Sequence, residues 1–333
     1  MTTTSLDTEP YVLHINRPEI GLTAFIVIDQ PSFEICAGGV RTRAYLSDGE
    51  ALADAKALAR AMTLKCALGG LPVGGAKAVV KLHNGLRRDE AFVHLGKVVE
   101  SLNGRFRTAG DLGTFESDLA LMATQTRFVH TNERELGSSV ASGLLACLRS
   151  IRSEFFADAF SRSRVSVQGA GAIGSAVATL FDERGYRVFI SDIDEAKAIE
   201  SGYTVIPVDE ALDCDVEVIS PCAVGGVISD ATWSTIRAKI VCGGANNVVS
   251  NLDVHWNLHR EGVLVVPDVI SSAGAVVDGI GQSVMGFEDR TELISQLGET
   301  AKEVVALSKK LNEPPYLAAV NLAAARISAP SRF

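Results

Sequence analysis

Arg164-Val-Ser-Val-Gln168-Gly169-Ala-Gly171-Ala-Ile-Gly174 is the stretch on which the fold turns. Residues 164–168 read as a short buried strand, and residues 172–184 carry the apolar spacing of a helix. Between them lies a G-x-G-x-x-G turn. A second strand follows at Arg187–Ser191 and ends at Asp192. The glycine hexapeptide alone is a weak signal. A strand before it, a helix after it and an acid closing the next strand make it a dinucleotide-binding fingerprint. Gly169 makes the tight turn, Gly171 lets backbone approach a pyrophosphate, and Gly174 lets the helix lie close to the strand. The first helical residues, Ala172 and Ile173, would offer their amides to the phosphates at the positive end of the helix dipole. Asp192 favours NAD, because a carboxylate accepts from ribose hydroxyls and repels a 2′-phosphate. The run Ser191-Asp192-Ile193-Asp194 adds a second acid and no arginine.

Downstream, Val216–Ile219, Ile240–Val241 and Val263–Val266 read as further buried strands. Strands alternating with helices imply an α/β protein with a doubly wound parallel sheet. The chain has 333 residues, enough for two domains. The expected division is a catalytic domain over 1–138 and a Rossmann domain over 139–308. The closing helices, 309–333, would fold back on the first domain. The active site is expected in the cleft between the two.

Composition narrows the function. Hydrophobic residues are 47% and charged residues 21%, a globular balance. The net charge of −9 argues against nucleic acid, which needs a basic footprint, and against anionic membranes. No apolar run approaches the roughly 18 residues of a spanning helix. The first residues, Met1-Thr-Thr-Thr-Ser-Leu-Asp7, lack the basic and apolar regions of a secretory signal. Cys36, Cys66, Cys147, Cys214, Cys222 and Cys242 are scattered without a Cys-x-x-Cys, so we expect reduced thiols in a cytoplasmic protein.

In the first domain, residues 23–28 read as a strand. Ser47-Asp-Gly-Glu50 has capping-box spacing ahead of a helix that runs to about Lys65. Leu71-Pro-Val-Gly-Gly-Ala-Lys77 reads as a loop whose glycines leave room for a ligand, with a short strand at 78–80. Lys77 is flanked by Val73, Ala76, Ala78 and Val79. A lysine buried among apolar groups has a lowered pKa and can act as a base near neutrality. Asp111 follows Thr108-Ala109-Gly110 in a turn-rich segment.

These stretches resemble the amino-acid dehydrogenases of the glutamate/leucine/phenylalanine/valine family, most closely the leucine, phenylalanine and valine branch. The resemblance rests on Gly38-Gly39-Val40-Arg41, Met62-Thr-Leu-Lys65, Leu71-Pro-Val-Gly-Gly-Ala-Lys77 and Thr108-Ala-Gly-Asp111-Leu-Gly-Thr114. It continues through the Gly169–Gly174 turn, Pro221-Cys222-Ala223-Val-Gly225, Gly244-Ala245-Asn246-Asn247 and Pro267-Asp-Val-Ile-Ser-Ser-Ala-Gly274, and it covers most of the chain in order. It implies that Lys65 binds the substrate carboxylate, that Lys77 activates water and that Asp111 exchanges protons with the amine. Ala37, Gly38, Gly39, Ala109 and Ser272 would line the substrate. Ile193, Cys222, Ala223, Ala245, Asn246 and Asn247 would join the glycine turn around NAD. It also implies a homo-oligomer and an apolar or aromatic L-amino acid as substrate.

Where glutamate dehydrogenases carry a lysine before the Gly-Gly, this chain has Ala37, which cannot compensate a buried second carboxylate. Its small size leaves room for an aromatic side chain, unless neighbours refill the space. Ser272 stands where leucine-type enzymes have an asparagine that anchors substrate. Val140-Ala141-Ser142 replaces a family threonine, and the segment Arg127–Ser139 is shortened. Two rival readings are a Rossmann enzyme of the methylenetetrahydrofolate-dehydrogenase kind and a non-catalytic NAD-binding regulator. The ordered Lys65, Lys77 and Asp111 speak against the first. His255 and His259 have helical spacing, but Trp256 stands where a zincin needs Glu, so no metal is expected. Arg149, Arg152, Arg162 and Arg164 read as a solvated charged face.

Overall fold

The computed structural model describes residues 9–131, 136–155 and 163–329. Arg162, part of the shortened 127–139 segment and the last residues of the expected terminal helix lie outside them. The described residues divide into two compact units, one up to residue 131 and the other over 136–328.

The first unit contains β1 (Tyr11–Arg17), β2 (Leu22–Ile28), β3 (Cys36–Arg43), α1 (Asp48–Leu68), β4 (Gly74–Lys81), α2 (Arg88–Ser101), β5 (Phe106–Gly110) and α3 (Glu116–Ala123). Its sheet has the order β1-β2-β4-β3-β5. β2 pairs antiparallel with β1 and β4, while β3 runs parallel to both β4 and β5. Alternation along the strands sorts the side chains into two layers. Ala24, Ile26, Ile28, Val40, Ala76, Ala78, Val80 and Phe106 join α2 and α3 in one core. Phe25, Val27 and Val79 face α1 with Ala51, Ala55, Leu58 and Ala59. By the same alternation Lys77, Arg41 and Asp111 fall on the α1 side.

The Ser47 hydroxyl caps α1 by accepting from the Glu50 amide at 3.1 Å, and the Glu50 carboxylate accepts from the Leu46 amide at 2.7 Å. The expected capping signal is therefore present. β4 corrects one expectation. The stretch expected to be loop through Lys77 is strand from Gly74 onward, in the interior of the sheet. The Gly-Gly-Ala run looks like a loop because it lacks bulk, but here the lack of bulk serves packing. A Cβ on Gly75 would lie 2.1 Å from the Thr63 nitrogen and 2.3 Å from the Ala59 carbonyl oxygen. Gly75 lets β4 lie against α1, while a Cβ on Gly74 would meet Cys36 Sγ at 2.8 Å; neither glycine leaves space for a ligand.

The second unit contains α4 (Leu136–Phe155), β6 (Arg164–Gln168), α5 (Ala172–Glu183), β7 (Arg187–Ser191), α6 (Glu195–Glu200), β8 (Thr204–Val205), β9 (Val218–Pro221), β10 (Ile240–Val241), α7 (Leu252–Arg260), β11 (Leu264–Val265), α8 (Asp268–Ser271), α9 (Gly274–Ser283), α10 (Thr291–Leu311) and α11 (Pro315–Ser328). All its strand pairs are parallel, in the order β11-β10-β9-β6-β7-β8. That is the order of two mononucleotide-binding halves sharing one sheet. α4 begins at Leu136, so its first turn crosses the expected boundary at 138. α11 packs on α10 and touches β11, so the chain from 309 to 328 belongs to the second unit and not, as expected, to the first. Arg164, expected on a solvated face, is ion-paired with Asp215 at 3.0 Å and Glu217 at 2.7 Å. Among the described residues no helix is long and apolar enough to cross a membrane.

Candidate active site

Register brings the polar residues of the first unit together. β3 lies between β4 and β5, so Arg41, Lys77 and Asp111 meet on the α1 face although they are far apart in sequence. Lys77 is buried, and its Nζ lies 3.2 Å from Asp111 Oδ2. Arg41 donates from Nε to that same Oδ2 at 2.8 Å. Gly39 makes this possible, because a Cβ there would lie 3.0 Å from the Asp111 Cβ and 2.6 Å from the Gly110 oxygen. Arg41 also reaches Asp54 Oδ2 on α1 at 3.3 Å, and Tyr45 donates its hydroxyl to Asp54 at 2.6 Å.

Burial pulls the Lys77 amine below its usual value. Asp111 opposes this and Arg41 reinforces it. For Asp111, burial pushes the carboxyl up, but Lys77 and Arg41 together outweigh it and hold it below the ordinary carboxylate range. A buried amine of reduced proton affinity beside an ionised carboxylate is a pair of proton acceptors placed to exchange protons with one ligand. Lys65 is buried in the last turn of α1, and Ala37 is buried in β3. Gly38 lies against β4, where a Cβ would meet the Ala76 oxygen at 1.7 Å. Ala109 immediately precedes Gly110 at the end of β5. Arg41, Asp54 and Tyr45 received no role from the sequence. Their signal was the arginine that closes Gly38-Gly39-Val40-Arg41, two residues on from Gly39 and so on the same face.

In the second unit the glycine turn lies at the carboxyl ends of β6, β9 and β10. Gly169 has φ +102°, and a Cβ on it would be 2.9 Å from the Ala223 nitrogen. A Cβ on Gly174 would be 1.8 Å from the Gly169 oxygen and 3.4 Å from the Cys222 Cβ. One on Gly244 would be 2.7 Å from Ile173 Cγ2. The expected residues from 169–174, 222–223 and 244–247 thus gather around one edge of the sheet. Gly171 is different, since a Cβ there would meet nothing within 4 Å. That opening, and the absence of a side-chain cap on α5, leave a cradle that fits a pyrophosphate.

Asp192 closes β7 with its carboxylate accepting from the amides of Ala170 at 2.7 Å and Asp194 at 2.9 Å. Those two bonds hold it below the usual carboxylate range. Ile193 beside it is 93% exposed, an apolar surface suited to a purine face. The Asn247 amide donates to Asp268 at 2.7 Å, with Asn247 in the left-handed region. The Ser272 hydroxyl donates to the Asp268 carbonyl at 2.7 Å and approaches Asn246 Oδ1 at 3.2 Å. Burial pushes the Cys222 thiol up, so it is no activated nucleophile. His255 is buried and stacked on Tyr316 at 4.9 Å.

A doubly wound dinucleotide fold joined to an α/β unit carrying a buried Lys–Asp pair defines a class: two-domain nicotinamide-dependent dehydrogenases. The model of the Glu/Leu/Phe/Val dehydrogenase dimerisation domain matches residues 13–128, and that of the Glutamate/Leucine/Phenylalanine/Valine dehydrogenases matches residues 190–329. The chain belongs to this family of amino-acid dehydrogenases, oxidoreductases acting on CH–NH2 donors. It is 32% identical over 330 residues to the leucine dehydrogenase of Geobacillus stearothermophilus, covering 95% of this chain and 90% of that one. It is 30% identical over 326 residues to an L-tryptophan dehydrogenase of Nostoc punctiforme, covering 95% and 92%. The crystal structure of L-tryptophan dehydrogenase from Nostoc punctiforme superposes with a TM-score of 0.84 at 28% identity, covering 95% of each chain.

Proposed function

We propose that the protein catalyses the reversible NAD-dependent oxidative deamination of an apolar or aromatic L-amino acid to its 2-oxo acid and ammonia. The observation that carries this reading is the buried Lys77–Asp111 pair on the face that also bears Ala37. Lys65 pairs with the substrate α-carboxylate. Asp111 takes a proton from the substrate ammonium, leaving a free amine. The glycine turn and Asp192 would hold NAD, which when bound would supply the acceptor for the hydride leaving Cα. Neutral Lys77 then draws a proton from water as its oxygen bonds to the imine carbon. The carbinolamine collapses when Asp111 returns its proton to nitrogen and the C–N bond breaks; the hydroxyl proton passes to the departing ammonia, which leaves as ammonium, and Lys77 sheds the proton it took from water to solvent. A positioned base of lowered proton affinity and a fixed cation on the carboxylate are what this sequence of steps needs.

Ala37 supports an uncharged substrate side chain, since nothing at that position would neutralise a second carboxylate. Asp192 supports NAD over NADP. The family description of the first unit as a dimerisation domain supports a homo-oligomer. A panel of L-amino acids assayed for NAD reduction tests the reading. Turnover of at least one of Leu, Val, Phe or Trp, with little of glutamate, is expected. Efficient use of glutamate and none of the others would overturn it.

A further inference from the structure

The Arg41 side chain lies between two carboxylates. Its Nε donates to Asp111 Oδ2 at 2.8 Å, and its NH1 reaches Asp54 Oδ2 at 3.3 Å. Asp54 is held in turn by the Tyr45 hydroxyl at 2.6 Å. The Arg41 side chain is 14% exposed, so these contacts are made largely out of water. Arg41 and Lys77 both converge on Oδ2 of Asp111. Oδ1 of the same carboxylate carries no hydrogen bond among the described residues.

The geometry points to Arg41 as the positioning residue of the reaction, clamping Asp111 through one oxygen so that the other is presented to the substrate amine, with Asp54 and Tyr45 as its buttress. This rests on the deamination reading above. Guanidinium suits the task. It stays charged throughout the cycle, and its fork can hold two carboxylates at fixed angles. Lys77 cannot do this, because it must lose its proton to act as base. If Asp111 were held by Lys77 alone, the carboxylate would be released whenever the amine became neutral. Arg41 keeps it in place in both protonation states of Lys77.

The charged and titratable groups that act on Lys77 are Asp111 after β5, Arg41 on β3 and Asp54 on α1. Their signs differ. Arg41 repels the ammonium and disfavours it, whereas Asp54 stabilises it. Arg41 and Asp54 should therefore move the acid limb of the deamination pH profile in opposite directions. That limb belongs to the Lys77–Asp111 pair as a unit.

The test compares wild type, Lys77→Ala, Arg41→Gln, Arg41→Lys and Asp54→Asn, with folding checked by circular dichroism and NAD binding by fluorescence titration. Arg41→Gln should lower kcat roughly ten- to hundredfold, the order expected when a reacting group is misplaced. KM for the amino acid should change much less. The acid limb of kcat should move up by about one pH unit in Arg41→Gln and down in Asp54→Asn, with Arg41→Lys closer to wild type in limb position than in kcat. A damaged fold would not produce shifts of opposite sign. If Lys77→Ala loses activity while Arg41→Gln keeps wild-type kcat and limb, the clamp is wrong and the deamination reading stands. Limbs that move the same way in Arg41→Gln and Asp54→Asn also overturn the clamp. If Lys77→Ala retains wild-type kcat, the deamination reading itself fails.

Discussion

Two lysines of the first unit should fail in different ways when removed. Lys65 sits at the end of a helix, and on the proposed mechanism it is the cation that holds the substrate carboxylate, so Lys65→Ala should raise KM for the amino acid. On the same mechanism Lys77 is the base, so Lys77→Ala should lower kcat by roughly 10²–10⁴ while NAD still binds. Asp111→Asn should do likewise. Because burial lowers the proton affinity of Lys77, its neutral form becomes available as pH rises through that lowered pKa. Deamination should therefore increase with pH along that limb, and steady-state kinetics across pH would check it. On the proposed reading Asp192 governs a separate choice. Its carboxylate would face the 2′-phosphate of NADP, so Asp192→Ser should narrow the preference for NAD by about 1–3 kcal/mol, read from the ratio of kcat/KM values. Equal use of both cofactors by the wild type would contradict this. At this scale much was readable in advance. Gly169, Gly171, Gly174 and Asp192 follow one another within a single βαβ unit, where spacing alone carries the geometry. The Arg41–Asp111 bond joins residues 70 positions apart and exists only because β3 pairs with β5. No local pattern announces it.

Among the elements, β4 shows how a residue singled out for its neighbours can be set in the wrong element. Lys77 stood out because its neighbours are apolar, yet Gly74-Gly75-Ala76 lowered the strand signal and the segment read as a loop. Tertiary packing overrides that propensity, because only a glycine permits α1 to lie on β4 at position 75. Gly75→Ala should destabilise the protein by at least about 1–3 kcal/mol, the cost of overpacking, since its Cβ would press on backbone atoms of α1. Urea unfolding would measure it. α7 makes a different prediction. His255 is buried against Tyr316 on α11, and burial lowers its pKa to about 4 from an ordinary value of 6.5. Between those values the unfolded chain binds a proton that the folded chain does not, so stability falls as pH drops through that window. At pH 5 the loss from this one group is about 2 kcal/mol by linkage. His255→Phe keeps the stack and removes the titration. The gap in unfolding free energy between variant and wild type should therefore widen in favour of the variant from pH 7 to pH 5. A gap independent of pH would place the titration elsewhere.

For the molecule as a whole, the proposed mechanism divides the chemistry between the two compact units. The mixed sheet of the first places Lys77, Asp111 and Arg41 on one face, and the parallel sheet of the second gathers the proposed cofactor residues at its carboxyl edge. Variants in the first unit should then alter amino-acid kinetics and leave NAD affinity unchanged, and variants of the glycine turn should do the reverse. Ser272 is the position at which this partition is put to the test. By fold it belongs to the second unit, just after α8, with its hydroxyl engaged by the Asp268 carbonyl and near the Asn246 amide. By resemblance it stands where leucine-type enzymes use an asparagine to anchor substrate. A serine hydroxyl has a single donor and is here directed to protein acceptors, whereas an asparagine amide has two donors and a longer reach. Ser272→Asn should therefore change KM for the amino acid more than KM for NAD, in the direction of tighter substrate binding if the added amide reaches the substrate. Initial-rate kinetics with each substrate varied against saturating partner would separate the two constants. A change confined to NAD would make Ser272 a support for the 246–247 turn, and would assign the substrate anchor to residues of the first unit.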